Sequence, residues 1–173
     1  MPRMTTHDAL SLLRSLGASA WLVRHHELVV EAAGLICDAL AQDLGVRFER
    51  DTVLLGASVH DAGKIVHPEE MSGGGSQHEA AGQELLVRAG IPAEVARFCV
   101  THASWETDRI EDALVALADK LWKGKRDEAL ENHLAACIAA QTKQAAWEVY
   151  SRFDAICEAV AADGPARLSR SVV

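Results

Sequence analysis

The chain has 173 residues, enough for one domain with a substantial buried core. Hydrophobic residues make up 49% of it, Ala, Leu and Glu are abundant, and strand signals are scarce, so an all-α fold is expected. The net charge of −8 argues against a general nucleic-acid-binding surface, which needs a basic footprint. It does not exclude a phosphorylated small molecule, since bound divalent cations would reverse the local charge.

Capping residues and the spacing of apolar side chains predict the first two helices. A short helix capped by Thr5 or Thr6 ends at Gly17. A longer helix begins at Ser19 and carries apolar residues at helical spacing until Gly45 stops it.

The third predicted helix runs from about residue 51 to Asp61, and Gly63 is its expected C-terminal stop. It ends in the sequence VHDAGK, where an imidazole and a carboxylate stand side by side after an apolar run. Residues 66–75 contain Pro68 and three successive glycines, which predicts a loop.

A capping box formed by Ser76 and Glu79 marks the start of the fourth helix and places His78 in its first turn. This helix is expected to end at Gly90, and Pro92 begins the next one.

The rest of the chain also has a helical pattern. The fifth helix continues to His102, and Asp108 is expected to cap a sixth. Residues 127–162 are predicted to be helical with one break near Thr142, and Gly164 with the proline after it ends the pattern.

Four of these helices place an imidazole or a carboxylate on an apolar face, where such groups are uncommon. Burying an isolated carboxylate costs several kcal/mol unless it is paired or bound to metal. Imidazoles and carboxylates that converge from separate helices are how helical domains build metal sites. The four residues are His25, His60, His102 and Asp119.

A single histidine on an apolar face is more often a core or boundary residue than a metal ligand. That interpretation applies to His7, His67 and His133, which are not expected to lie near other inward-facing imidazoles or carboxylates. His26 is ambiguous from its position, because it lies nearly as far inward as His25.

The cysteines stand alone in apolar, helix-like stretches, with no CxxC pair, which favours reduced buried thiols over a zinc–thiolate site. The first residues lack an apolar segment of signal-peptide length, and no apolar run approaches the roughly 18 residues of a membrane span. We therefore expect a cytoplasmic protein with no membrane partner. The cysteines are Cys37, Cys99, Cys137 and Cys157.

Several segments, in this order, resemble the HD-domain superfamily of metal-dependent phosphohydrolases. RHHELVVEAA resembles the helix of the first histidine, HDAGK the motif that names the family, HEAAGQELL a segment of members with extra histidines, and ALADKL the helix of the last ligand. The resemblance covers roughly residues 20–126. It implies an all-α HD core there. Together with the helical pattern of the rest of the chain, this predicts a single compact helical domain over residues 1–173, with a C-terminal helical extension at about residues 127–162.

The resemblance also implies a ligand set and favours His25 over His26. In two-metal members Asp61 would bridge the ions, which implies two divalent ions here, with iron, manganese, cobalt, nickel, magnesium and zinc all open. His25, His60, Asp61 and Asp119 would hold one ion, with His78 and His102 as ligands of a second.

The implied activity is hydrolysis of a small phosphorylated substrate, a nucleotide or another phosphate ester, by metal-bound hydroxide. Asp61 would also orient the nucleophile, and Lys64, Arg24 and Lys120 are placed to meet phosphate oxygens. The paired histidine and GYP segment of cyclic-dinucleotide hydrolases are absent from the sequence, and the glutamate of the deoxynucleotide monophosphatase branch is replaced by Lys64. Neither branch's substrate is therefore carried over.

Two alternatives remain open at this stage. One is an HD-type oxygenase with two irons, because imidazole and carboxylate ligands suit iron well. The other is a non-catalytic nucleotide-sensing domain that retains its metal. A homodimer is compatible with the sequence.

Overall fold

Helices make up most of residues 3–173, the part of the chain that the computed structural model describes. No strand occurs within this range, which confirms the predicted all-α fold. Two short 3-10 helices, Ala62–Ile65 and Pro68–Met71, lie between the third and fourth α-helices. The α-helices are α1 (Thr6–Ser15), α2 (Ala20–Leu44), α3 (Arg50–Val59), α4 (Gln77–Arg88), α5 (Ala93–Ala96), α6 (Phe98–Thr101), α7 (Ile110–Leu121), α8 (Glu128–Thr142), α9 (Ala146–Ala162) and α10 (Gly164–Arg170).

Helix α2 lies at the centre of the main hydrophobic core and begins and ends where the sequence predicts. The Ser19 hydroxyl accepts from the Leu22 amide at 3.1 Å, and Gly45 ends the helix with a φ of 65°, which glycine adopts without strain. The helix packs against α3, α7 and α9. Fully buried side chains such as Leu114 of α7 and Phe153 of α9 join this cluster, each contributing about 1.5–3 kcal/mol.

The C-terminal helices pack on the same core. Leu134 of α8 and Phe153 of α9 are buried in the cluster that α2 and α7 form. The predicted break near Thr142 is confirmed, and it falls at Lys143, whose φ is 56°. The predicted end of this helical stretch at residue 162 is confirmed, but the sequence analysis did not predict the short helix α10, which begins at Gly164.

The chain turns sharply after α3, and two glycines make the turn possible. Helix α3 ends at Val59, and Gly63 lies in the first 3-10 helix without the left-handed φ expected of a helix stop. A Cβ on Gly63 would collide with the His78 carbonyl oxygen, and one on Gly82 would lie 2.7 Å from the Gly63 nitrogen. The glycine pair thus lets the 3-10 helix approach α4, which brings the end of α3 next to His78.

Two predicted helix caps are wrong. The Ser76 side chain makes no capping bond to α4, because the carboxylate of Glu70 accepts from the first amides of that helix. Helix α7 is not capped by Asp108; Thr107 Oγ1 accepts from the Arg109 amide at 3.1 Å just before the helix begins. At α4 the negative carboxylate of Glu70 takes the place of the neutral Ser76 hydroxyl. A negative charge is stabilised there by the positive end of the helix dipole.

None of the helices described for this chain is long and apolar enough to cross a membrane. The four cysteines carry free thiols, as predicted, and three of them are buried. Burial raises the pKa of the Cys37 and Cys99 thiols to about 12, so both are protonated and unreactive.

Candidate metal centre

The first donor group forms where α2, α3 and α7 meet. His25 Nε2 lies 3.1 Å from Asp61 Oδ2 and 3.4 Å from His60 Nε2, and His60 Nε2 lies 3.2 Å from Asp119 Oδ1. One ligand atom from each of the four residues can be chosen so that all lie within 4.8 Å of one another. These are the four residues predicted for one ion.

The second donor group contains Asp61 together with His78 of α4 and His102, which directly follows α6. Asp61 Oδ1 lies 3.4 Å from His78 Nε2 and 3.5 Å from His102 Nε2. The two oxygens of Asp61 therefore face different histidines, since Oδ2 lies near His25 and His60. This is the arrangement expected of a carboxylate shared by two neighbouring sites.

Three of the four histidines in the two groups are oriented by a hydrogen bond from Nδ1. His60 Nδ1 donates to the Ala57 carbonyl at 2.9 Å, and His102 Nδ1 donates to the Phe98 carbonyl at 3.0 Å. His78 Nδ1 donates to the Glu70 carboxylate. Each bond fixes a tautomer whose Nε2 lone pair faces the other donors, as in histidines that ligate metals.

The donor set fits a divalent transition metal. Within residues 3–173, the buried Nε2 of His78 has no hydrogen-bond partner, which is costly for a polar atom unless a ligand occupies its lone pair. Four imidazole nitrogens and two carboxylates, with no thiolate among them, suit iron, manganese, cobalt, nickel or zinc.

The charged groups of the centre stabilise one another. Burial raises the pKa of Asp61 and Asp119, but the neighbouring His60 and His25 outweigh it and hold both pKa values below the usual range. Burial lowers the pKa of His60, but Asp61 and Asp119 outweigh it and raise this pKa above 6.5. Both carboxylates are therefore ionised and available as ligands at neutral pH.

His26 lies beside the centre but does not face it. Its Nδ1 donates to the Leu22 carbonyl at 2.9 Å, and its Nε2 accepts from the Asp61 amide at 3.2 Å. Burial, together with the nearby His60 and His25, lowers the pKa of His26 well below 6.5, so the ring is neutral. The structure thus places His25 among the donors and uses His26 to hold the backbone of Asp61.

Glu70 is a residue that the sequence analysis missed. Its carboxylate is buried and accepts hydrogen bonds from the Gln77 and His78 amides at 3.1 and 3.0 Å. It also accepts a hydrogen bond from His78 Nδ1. Burial raises its pKa, but these hydrogen bonds outweigh burial and lower it. Nothing local distinguishes Glu70 from the exposed Glu69, because only the folded loop decides which of the two points inward.

The donor groups open into a cavity of about 530 Å³. The predicted phosphate-binding residues Lys64 and Lys120 line it, and the Lys64 ammonium donates to Asp61 Oδ2 at 2.8 Å. Arg24 does not line it; its guanidinium donates to the Arg170 carbonyl at 2.8 Å and to Glu27. Its contacts therefore give no support to the predicted role of Arg24 in substrate binding.

The cavity also has an apolar side that the sequence analysis did not identify. Trp21 stacks on His25 with ring centroids 5.7 Å apart, and Trp122 meets the same imidazole edge-on at 5.1 Å. Both indoles line the cavity, together with Met71 and Leu168. Indoles are common core residues, so the sequence gives no signal that these two border a polar site.

The fold and the site together define a class of protein: a helical bundle with a candidate site for divalent metal ions. Histidines and aspartates of its interior converge there around one shared carboxylate. The family model for the HD domain matches residues 22–123, more than half of the chain. The chain belongs to the HD domain family, a superfamily of metal-dependent hydrolases, which confirms the resemblance seen in its motifs. A search of curated proteins and a search of solved structures each gave no match.

Proposed function

We propose that this protein is a metal-dependent phosphohydrolase that acts on a nucleotide or another phosphate ester. The observation that supports this most directly is the position of Asp61, whose two oxygens face different histidines within one buried centre. That arrangement suits two cations close together, as used in the hydrolysis of phosphate esters.

Six side chains hold the ions in this proposal. When bound, the ions supply a hydroxide nucleophile near neutral pH and neutralise the phosphoryl oxygens. Three of the four imidazoles are held in orientation through Nδ1, so these rings need little reorganisation when the ions bind. The ligands are His25, His60, Asp61 and Asp119 for one ion, and His78, His102 and Asp61 for the other.

Lysines provide the positive charge that a phosphate ester needs. Lys64 pairs with Asp61 and lies on the cavity wall, where its ammonium can reach a non-bridging phosphate oxygen. Lys120 and Lys123 line the same cavity. With cations on the carboxylates, the cavity becomes strongly positive despite the acidic chain, which favours an anionic substrate.

The direct test loads the purified protein separately with iron, manganese, cobalt, nickel, magnesium and zinc. Each form is then assayed for release of phosphate or product from nucleotides, dinucleoside polyphosphates, cyclic dinucleotides and aryl phosphates. We expect metal-dependent turnover of at least one class, lost in Asp61→Asn and kept in His7→Ala, whose histidine is exposed on α1. Dioxygen-dependent oxidation without phosphoester turnover would instead identify an oxygenase, and nucleotide binding without turnover a sensor.

A further inference from the structure

Helix α10 lies outside the residues that the HD domain model matches, yet it reaches the cavity of the metal centre. Leu168 of this helix and Ser171 just after it line that cavity together with Asp61 and Lys64. We propose that Leu168 and Ser171 help to determine substrate specificity. They form a wall of the cavity that contacts the organic group of the substrate, the end opposite its phosphate. The inference rests on the proposed function, since it concerns the same cavity.

A buried arginine fixes α10 to the helix that supplies Asp119. Arg167 is 1% exposed, and its guanidinium donates to the carbonyls of Trp122 at 2.7 Å and Leu121 at 3.2 Å, and also to that of Val160. These carbonyls belong to the last turns of α7 and α9, where helices leave acceptors unpaired and the dipole favours a cation. The position of α10 is thereby coupled to the end of α7.

The far end of α10 is tied to α2, the helix that supplies His25. Arg24 Nε donates to the Arg170 carbonyl at 2.8 Å, and the Arg170 guanidinium makes two bonds to Glu31, at 2.7 and 2.9 Å. At the other end, Gly164 packs so closely on Gly124 that a Cβ there would collide with its backbone. Attachment at both ends makes α10 a fixed wall rather than a mobile segment.

The chemistry of the wall indicates which organic group it suits. Leu168 is apolar and 42% exposed, and Arg167 beside it holds the backbone carbonyl of Trp122. The indoles of Trp122 and Trp21 both contact His25. The cavity lining therefore combines apolar and aromatic side chains, namely Trp21, Trp122 and Leu168, with the charged groups of the donor site and its lysines. A phosphate ester of a planar aromatic or nucleoside group fits these surroundings better than an alkyl phosphate does.

The test compares an aryl phosphate with an alkyl phosphate in the metal-loaded, full-length protein. Leu168→Ala should lower the ratio of kcat/KM for the aryl ester to that for the alkyl ester by about tenfold or more, chiefly through KM, because apolar contact with the aryl group is lost. Ser169→Ala, an exposed position on the same helix, should keep the wild-type ratio. An unchanged ratio in Leu168→Ala would overturn the inference.

Two further measurements separate failure of the inference from other failures. The metal content and melting temperature of Leu168→Ala should match those of the wild type, since this side chain is partly exposed and offers no metal-binding atom. If the wild type hydrolyses none of the phosphoesters screened, the proposed function fails, and tryptophan-fluorescence titrations with the aryl and the alkyl ester still decide the inference. Loss of the aryl preference in Leu168→Ala binding would support it, and equal binding preferences in the two proteins would overturn it.

Discussion

The two donor groups that share Asp61 rest on different kinds of support. His25 and Asp119 project from α2 and α7, which have 25 and 12 residues and bury many apolar side chains in the main core. His78 lies in the first turn of α4, and His102 follows α6, a helix of only four residues. The first group is therefore held by the core, whereas the second depends on short segments.

Glu70 compensates for the weaker support of the second group. It caps α4 and orients His78 with the same carboxylate, so one residue of the 3-10 helix Pro68–Met71 both fixes the start of α4 and positions a candidate ligand. The two donor groups are therefore positioned by separate parts of the chain, and in the proposed two-ion centre each ion would respond to its own support. We expect the ion near His78 and His102 to bind more weakly and to respond to changes in the loop before α4.

The largest expected effect comes from Asp61, the residue that the two groups share. Asp61→Ala removes a ligand from both, so metal content should fall toward zero and phosphohydrolase activity by about 10³-fold or more. Metal analysis and a phosphoester assay check this, with circular dichroism to show that the helices remain. Wild-type metal content in this variant would contradict the shared role.

Lys64→Ala should separate substrate binding from metal binding. The variant loses the ammonium next to Asp61 but no metal ligand, so metal content should stay at the wild-type level. Removing one donor to the charge that develops on the phosphoryl group should lower kcat by about 10²–10³-fold. The control is Lys125→Ala, at an exposed lysine that does not line the cavity. Wild-type turnover in Lys64→Ala would make Lys64 a loop residue only.

Glu70→Gln should weaken the second group while leaving the first intact. Losing the negative charge behind His78 should reduce affinity for the second ion by about 10–100-fold, which titration calorimetry or competition with a chelator can measure. Glu69→Gln changes an exposed carboxylate in the same loop and should have no effect. Equal weakening of both ions would show that the two groups are not independent. For comparison, His78→Ala should cost about one ion per chain.

Lowering the pH should release metal from both groups. Asp61 and Asp119 raise the pKa of His60, and the neighbouring carboxylates of Asp61 and Glu70 raise that of His78, both above 6.5. In the metal-free protein these rings therefore become protonated at a higher pH than an ordinary histidine. Because a ligand must give up its proton, metal affinity should fall as pH drops through this range, by about tenfold per unit for each proton taken up. Affinity that is constant from pH 8 to 6 would argue against His60 and His78 as ligands.

The smallest expected effect on activity is that of His26→Ala. This variant should keep the metal ions but lose about 2 kcal/mol or more of stability, because it leaves a cavity and frees the Asp61 amide. Chemical denaturation measures the loss. His25→Ala should show the reverse pattern, with little activity and an intact fold. If His26→Ala loses metal and His25→Ala does not, His26 rather than His25 is the ligand.

Features that depend on neighbouring residues could be predicted from the sequence. The ends of α2 follow from Ser19 and Gly45. A capping hydroxyl and a glycine in the left-handed backbone conformation both act within one turn of the helix. The inward position of His25, His60, His102 and Asp119 follows from the spacing of apolar residues around them. The family motifs added His78 and Asp61 to this set, and the HD domain match supports their context.

Contacts between distant groups could not be predicted, because they depend on the packing of the whole fold. The choice of Glu70 over Ser76 as the cap of α4 depends on how the preceding loop folds. Arg24 bonds the carbonyl of Arg170, 146 residues further along the chain, and α10 reaches the cavity through such contacts. Capping and periodicity are local, whereas these bonds form between segments that only the packing of the core brings together. No spacing rule in the sequence could have given them.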